Sequence, residues 1–79
     1  MHNKMFEHVK AIILKIKPNI HKEILEEDDL VENLGFSSFE IFVLLYNLET
    51  EFKITISNHD IINNTKIRDL LNFIAQYKQ

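Results

Sequence analysis

The 79-residue chain has no cysteine and no tryptophan, and it has one glycine, one proline and one arginine. Without cysteine there is no disulfide, no thiolate nucleophile and no zinc-thiolate site, so we expect a fold held by apolar residues in the reducing cytoplasm. A sheet protein with so few turn-forming residues would be unusual, which favours helices. One arginine in a chain of net charge -3 also argues against a nucleic-acid partner.

Length and charge spacing exclude further classes of protein. Lysine or glutamate interrupts every apolar run well short of about 18 residues, so no membrane span or signal peptide is expected. One domain, residues 1–79, has room for one thin core and none for a deep catalytic cavity. The four histidines have no metal-site spacing, so no metal site is predicted. The six carboxylates of residues 23–32 are either a solvated loop or a docking surface for a basic partner.

Apolar spacing predicts an all-α domain. Helical periodicity indicates a first helix over 3–17, which Pro18 ends, and a last helix over 66–77. A long loop, 18–36, follows the first helix, and a brief third helix is predicted near 58–62. The expected architecture is therefore a four-helix bundle with a long first loop and a short third helix.

The second helix is predicted to begin at a capping box, Ser37-Ser38-Phe39-Glu40, directly after Gly35. Eight of the ten residues 39–48 are apolar, which is also compatible with a buried strand, but the cap and the length of the run favour a helix to about residue 51. The predicted core is Val9, Ile12, Ile13, Leu30, Leu34, Phe42, Leu45, Leu48, Phe52, Ile56, Leu70, Leu71 and Ile74.

Ser38 is the hydroxyl best placed for chemistry. If Ser37 is the N-cap, Ser38 lies in the first helical turn beside backbone amides that lack helical partners. Those amides and the helix dipole favour an attached anion such as a phosphate group. The residues alone leave open a simpler interpretation, in which both serines only cap the helix.

One stretch of the chain carries a longer motif. It reads Leu34-Gly35-Phe36-Ser37-Ser38-Phe39, and Leu44, Leu48-Glu49 and Phe52-Lys53-Ile54-Thr55-Ile56 follow in order. The stretch resembles the acyl carrier protein family, whose usual string is Leu-Gly-x-Asp-Ser-Leu before an apolar helix and a Leu-Glu-x-x-Phe-x-Ile-x-Ile tail. The long first loop and the final amphipathic helix also look like that family's four-helix bundle.

The resemblance implies a carrier protein and not an enzyme. Ser38 would hold a 4'-phosphopantetheine arm, which a separate phosphopantetheinyl transferase installs from coenzyme A. The arm's thiol would hold acyl cargo as a thioester for acyl-loading and acyl-transfer enzymes. Ser37 departs from the family pattern, because an aspartate usually stands there, and this bears on recognition by a general transferase.

Two further sets of residues are expected to serve such a carrier. Ile41 and Val43 are predicted to face outward, where the family usually has acids, and the partner-binding set is Ser37, Phe39, Glu40, Ile41, Val43 and Glu49. The boundary met by an acyl chain is predicted to be Phe39, Phe42, Leu45, Tyr46, Ile61 and Ile67. Because bulky rings fill space between helices, shallow or no sequestration of long acyl chains is expected.

An apolar partner face indicates dedicated partners. We therefore predict a monomeric cytoplasmic carrier for a specialised lipid, polyketide or related biosynthetic pathway, rather than for central fatty acid biosynthesis. Two alternatives stay open: a peptidyl or D-alanyl (aminoacyl) carrier with the same arm, and an unmodified helical interaction domain.

Overall fold

The computed structural model describes residues 3–57 and 65–77. In these ranges the chain forms three helices, which are α1 Asn3–Ile16, α2 Ser38–Phe52 and α3 Ile67–Tyr77. The all-α prediction and the three helices are confirmed, with bounds within about a residue of those expected from apolar spacing. The predicted short helix near 58–62 lies outside the described residues. No helix within the described ranges is long and apolar enough to cross a bilayer.

Helix α1 ends where the sequence indicates. The amide of Lys17 still donates to the Ile13 carbonyl at 2.8 Å, and Pro18 then has no N–H to continue the ladder. The apolar stripe of α1 is buried through Val9, Ile12 and Ile13. This stripe packs against α2, and Lys4 and Lys15 are exposed.

The loop between α1 and α2 is fastened to the start of α3. The Ile67 amide donates to the Asp28 carbonyl at 3.0 Å, and the Arg68 amide donates to the Glu26 carbonyl at 2.8 Å. The first amides of a helix have no partner inside the helix, so loop carbonyls supply the partners that α3 lacks. The loop is therefore a structural part of the domain.

Two aspartates of the acidic stretch serve the fold. Asp29 accepts hydrogen bonds from the amides of Val31 and Glu32 and from the Thr65 hydroxyl, at 2.8, 3.0 and 2.7 Å. These bonds, the one from the Glu32 amide first, hold the pKa of Asp29 below its ordinary value. Asp28 is buried, with 6% of its surface exposed. The charge pattern suggested either a solvated loop or a docking surface. Neither role describes the carboxylates of Asp28 and Asp29.

The core draws on every helix and on the loop. Its buried apolar residues are Val9, Ile12, Ile13, Ile24, Leu30, Leu34, Phe36, Leu44, Leu45, Leu48, Ile54, Ile56, Ile67, Leu70, Leu71 and Ile74. The predicted core is confirmed except at Phe42, which is 60% exposed, and Phe52, which is half-buried. Five further apolar residues are buried although the predicted core does not include them, namely Ile24, Phe36, Leu44, Ile54 and Ile67. The apolar residues of α2 surround the helix, so their spacing does not define which of them point inward.

The side chain of Asp28 offers a test of the bonds within the loop between α1 and α2. Burial raises the pKa of its carboxyl, but an ion pair with Lys22 and the Leu25 amide, which donates at 2.8 Å, outweigh that effect and leave the pKa below its ordinary value of 3.8. We expect Asp28→Asn to lower the free energy of unfolding by about 1–3 kcal/mol at neutral pH. Because the folded-state pKa is lowered, this stabilisation is complete above 3.8 and is lost as the pH falls below it.

Urea denaturation of both proteins between about pH 3 and about pH 7 measures this contribution. The matched control is Glu23→Gln, an exposed carboxylate of the same stretch, which should change stability by less than about 0.5 kcal/mol. A difference between wild type and Asp28→Asn that stays constant over the whole pH range would contradict the assignment.

Candidate functional site

A tight turn fixes the point at which α2 begins. Gly35 has a φ of 73°, in the left-handed region that glycine adopts without strain. A Cβ added at this residue would meet no atom within 4 Å, so backbone conformation, and not space, requires the glycine. The next amide, that of Phe36, donates to the Leu30 carbonyl at 2.8 Å, and the Phe36 ring is buried. The turn is thus anchored in the core immediately before the two serines.

Ser37 caps α2, as predicted. Its hydroxyl oxygen accepts a hydrogen bond from the Glu40 amide at 3.2 Å, and its own amide donates to Glu40 Oε1 at 2.8 Å. The two bonds make a complete capping box. The Ser37 hydroxyl is therefore engaged in the N-terminal cap of α2.

Lys17, the residue directly after α1, lies against the same cap. Its ammonium is 3.2 Å from Glu40 Oε2 and lies 5.8 Å from the centre of the Phe36 ring. The Ser37 amide and the Lys17 ammonium hold the pKa of Glu40 below its ordinary value, so this carboxylate is ionised at neutral pH. Sequence reasoning missed Lys17, because no spacing rule relates two residues on different helices.

Ser38 is left available for chemistry. It is the first residue of α2, is exposed, and its hydroxyl has no hydrogen-bond partner within residues 3–57 and 65–77. The amides of Ser38 and Phe39 likewise have no acceptor in those ranges. Exposed amides at a helix start suit an attached phosphate, and the hydroxyl beside them is free to carry one. The residues present therefore fit a phosphate-linked group.

The predicted partner-binding residues differ in their exposure and in their contacts. Ile41 packs against the core, so the prediction that it faces outward is wrong. Val43 is half-buried, and Phe39 is 73% exposed. Glu40 is engaged in the cap, and Glu49 accepts a hydrogen bond from a backbone amide seven residues later at 2.7 Å. Whether these residues meet a partner stays a prediction.

The aromatic members of the predicted acyl-chain boundary are on the outside. Phe39, Phe42 and Tyr46 have exposed fractions of 73%, 60% and 65%. They do not fill space between the helices in this structure, so the physical reason given for shallow sequestration is wrong. The register set by the cap turns these rings towards solvent.

The remaining boundary residues lie elsewhere. Leu45 and Ile67 are buried in the core, and Ile61 lies outside the described residues. A cargo role for Leu45 and Ile67 stays a prediction. No three His, Asp or Glu side chains in the described part of the chain are arranged to hold a metal ion.

Known proteins are similar to this chain in sequence and in fold. A model of the family described as the phosphopantetheine attachment site matches residues 9–74. The acyl carrier protein of Campylobacter jejuni (strain RM1221) is 30% identical over 74 residues, which cover 94% of this chain and 96% of the relative. The chain belongs to the acyl carrier protein family. It is a carrier and not an enzyme, and its cofactor is 4'-phosphopantetheine.

Two further relatives of this carrier agree with the assignment. The acyl carrier protein of Buchnera aphidicola subsp. Baizongia pistaciae is 32% identical over 69 residues, covering 87% of this chain and 88% of the relative. The solved structure of a candidate acyl carrier protein from Mycobacterium tuberculosis superposes with a TM-score of 0.83 at 34% identity. That match covers 92% of this carrier and 97% of the solved chain.

The two serines should differ in their effect on stability. We expect Ser37→Ala to lower the free energy of unfolding by about 1 kcal/mol, because the capping acceptor is lost. Ser38→Ala should change it by less than about 0.5 kcal/mol, because no hydrogen bond to the described residues is removed. Thermal and urea denaturation followed by circular dichroism compare the variants, and equal losses would show that the serines share the capping role.

Proposed function

We propose that Ser38 is the attachment residue for the phosphopantetheine arm of this carrier. The observation that supports this most directly is the division of roles between adjacent serines. Ser37 is held in the capping box, whereas Ser38 is exposed and its hydroxyl has no partner among the described residues. The Ser38 hydroxyl can therefore be modified without breaking the helix cap, whereas modification of the Ser37 hydroxyl would break it.

Attachment at Ser38 fits the chemistry of the helix start. In the transfer, the Ser38 hydroxyl oxygen bonds to phosphorus, the pyrophosphate bond of coenzyme A breaks, and the hydroxyl proton leaves with the nucleotide product. The new phosphodiester then lies beside the open amides of Ser38 and Phe39, where the helix dipole favours an anion. The arm supplies a terminal thiol that holds acyl groups as thioesters.

The carrier is proposed to serve a specialised lipid, polyketide or related pathway in the cytoplasm. Ser37 supports this, because a serine can replace aspartate as a helix cap but adds no negative charge beside the modified hydroxyl. The apolar surface of α2 supports it as well, since Phe39, Phe42 and Tyr46 are all exposed. Both features favour enzymes dedicated to this carrier.

Intact-mass measurement tests the attachment residue. The folded protein is incubated with coenzyme A and a broad-specificity phosphopantetheinyl transferase, and Ser38→Ala and Ser37→Ala are treated in parallel. We expect one phosphopantetheine increment on the wild type, none on Ser38→Ala, and one on Ser37→Ala. The last variant is the matched control, because it removes the neighbouring hydroxyl and leaves the proposed acceptor.

Other outcomes have definite meanings. An increment on Ser38→Ala would overturn the assignment of this residue. A folded wild type that several transferases leave unmodified would leave two interpretations, which are a carrier that needs its own dedicated transferase, because Ser37 replaces the usual aspartate, and an unmodified helical interaction domain.

A further inference from the structure

The ammonium of Lys17 contacts the chain on both sides of the serine pair. It donates to both carboxylate oxygens of Glu40, at 3.4 Å to Oε1 and 3.2 Å to Oε2. The same ammonium lies 5.8 Å from the centre of the Phe36 ring, which is close enough for a cation–π attraction. Phe36 directly precedes Ser37, and Glu40 follows Ser38 by two residues. One cation therefore contacts the chain before and after the proposed attachment residue.

The backbone of Lys17 is restrained by its neighbours. The Lys17 amide donates to the Ile13 carbonyl at 2.8 Å, which continues the hydrogen bonds of α1 by one residue. Pro18 follows, and its ring restricts the chain where it leaves the helix. The side chains of Lys17 and Glu40 are 26% and 30% exposed, so water and salt screen their attraction less than that of a fully exposed pair. The ion pair thus links the first turn of α2 to the end of α1.

The carboxylate that Lys17 holds also completes the helix cap. Glu40 Oε1 accepts a hydrogen bond from the Ser37 amide at 2.8 Å, and the Glu40 amide donates to the Ser37 hydroxyl oxygen at 3.2 Å. A glutamate side chain has considerable rotamer freedom, so without a cation beside it the carboxylate would spend less of its time on the Ser37 amide. The backbone that carries Ser38 would then have one restraint fewer.

We propose that Lys17 is a positioning residue for attachment of the arm, because it holds the Glu40 carboxylate on the cap and thereby directs the Ser38 hydroxyl. The proposal rests on the proposed function, since this direction matters only if Ser38 accepts the arm. In arm transfer the Ser38 oxygen bonds to phosphorus as the pyrophosphate bond of coenzyme A breaks, so the reacting atoms must be aligned. In the described part of the chain Lys17 contacts Glu40 and Phe36 rather than Ser38, so it acts on this step through them.

Single-turnover kinetics of arm transfer test this role, with a broad-specificity phosphopantetheinyl transferase saturated with coenzyme A as the probe enzyme. The transferase is in excess over the carrier, and its concentration is varied to give a limiting rate and a half-saturating concentration. We expect Lys17→Met, which removes the charge and keeps a long side chain, to lower the limiting rate about five- to tenfold, because a less restrained hydroxyl is aligned less often. The half-saturating concentration should change less than about twofold, because the surface that the transferase binds is unaltered.

Lys10→Met is the matched control. The Lys10 ammonium makes the same two kinds of contact, since it lies 3.3 Å from Glu7 Oε2 and 4.9 Å from the centre of the Phe6 ring, and its side chain is 24% exposed. All three residues belong to α1, so this substitution should leave the limiting rate unchanged. Circular dichroism should show every variant folded.

Two further variants test whether Lys17 acts through Glu40. Lys17→Arg keeps the charge, and its guanidinium can donate to both carboxylate oxygens, so its limiting rate should be within about twofold of the wild type. Glu40→Gln keeps a side chain that can complete a capping box but removes the charge that attracts Lys17. In that background we expect Lys17→Met to lower the limiting rate by less than about twofold, because the carboxylate through which it acts is gone.

The outcomes separate this inference from the proposed function. Equal limiting rates for the wild type and Lys17→Met overturn the positioning role and leave the attachment residue intact. A rise in the half-saturating concentration alone would mean that Lys17 contacts the transferase, and an equal loss of rate in Lys10→Met would assign the effect to general stability; either result overturns the role as well. A full loss from Lys17→Met in the Glu40→Gln background excludes action through Glu40. Modification that persists in Ser38→Ala overturns the proposed function, and this inference with it.

Discussion

The capping box between Ser37 and Glu40 is the interaction on which the rest of the structure depends. It defines the residue at which α2 begins. In the helix that begins there, Leu44, Leu45 and Leu48 are buried in the core, and Phe39, Phe42 and Tyr46 are exposed. An apolar helix without a defined start could bury other residues with similar gain, because its hydrophobic side chains surround it.

This dependence explains how much the sequence could predict. Helices α1 and α3 have one apolar stripe each, so periodicity located both the helices and their buried residues. For α2, the sequence predicted the cap and the length, but Phe42 was expected inside and Ile41 outside. Both expectations failed for one reason: a nearly all-apolar run has no periodic signal to orient it. The prediction at Ser38 did not need that signal, because it relied on the cap and on the resemblance to the acyl carrier protein family.

Contacts between distant residues were beyond sequence reasoning for a different reason. The ion pair of Lys17 with Glu40 joins α1 to α2, and the bonds from the loop to Ile67 and Arg68 join segments far apart in the chain. Such pairs arise from tertiary packing, which leaves no local pattern. The acidic stretch shows the same limit, since charge alone did not distinguish a solvated carboxylate from that of Asp28, which is buried.

The division of roles between Ser37 and Ser38 also separates folding from the cofactor cycle. An arm on Ser38 replaces no hydrogen bond of the described structure, because the neighbouring hydroxyl already completes the cap. The described fold therefore uses no bond from the Ser38 side chain, and a transferase that acts on this residue, as proposed, would receive a finished helix start as its substrate. Maturation of this carrier is then a covalent step added to a native protein, rather than a step that the protein needs in order to become native.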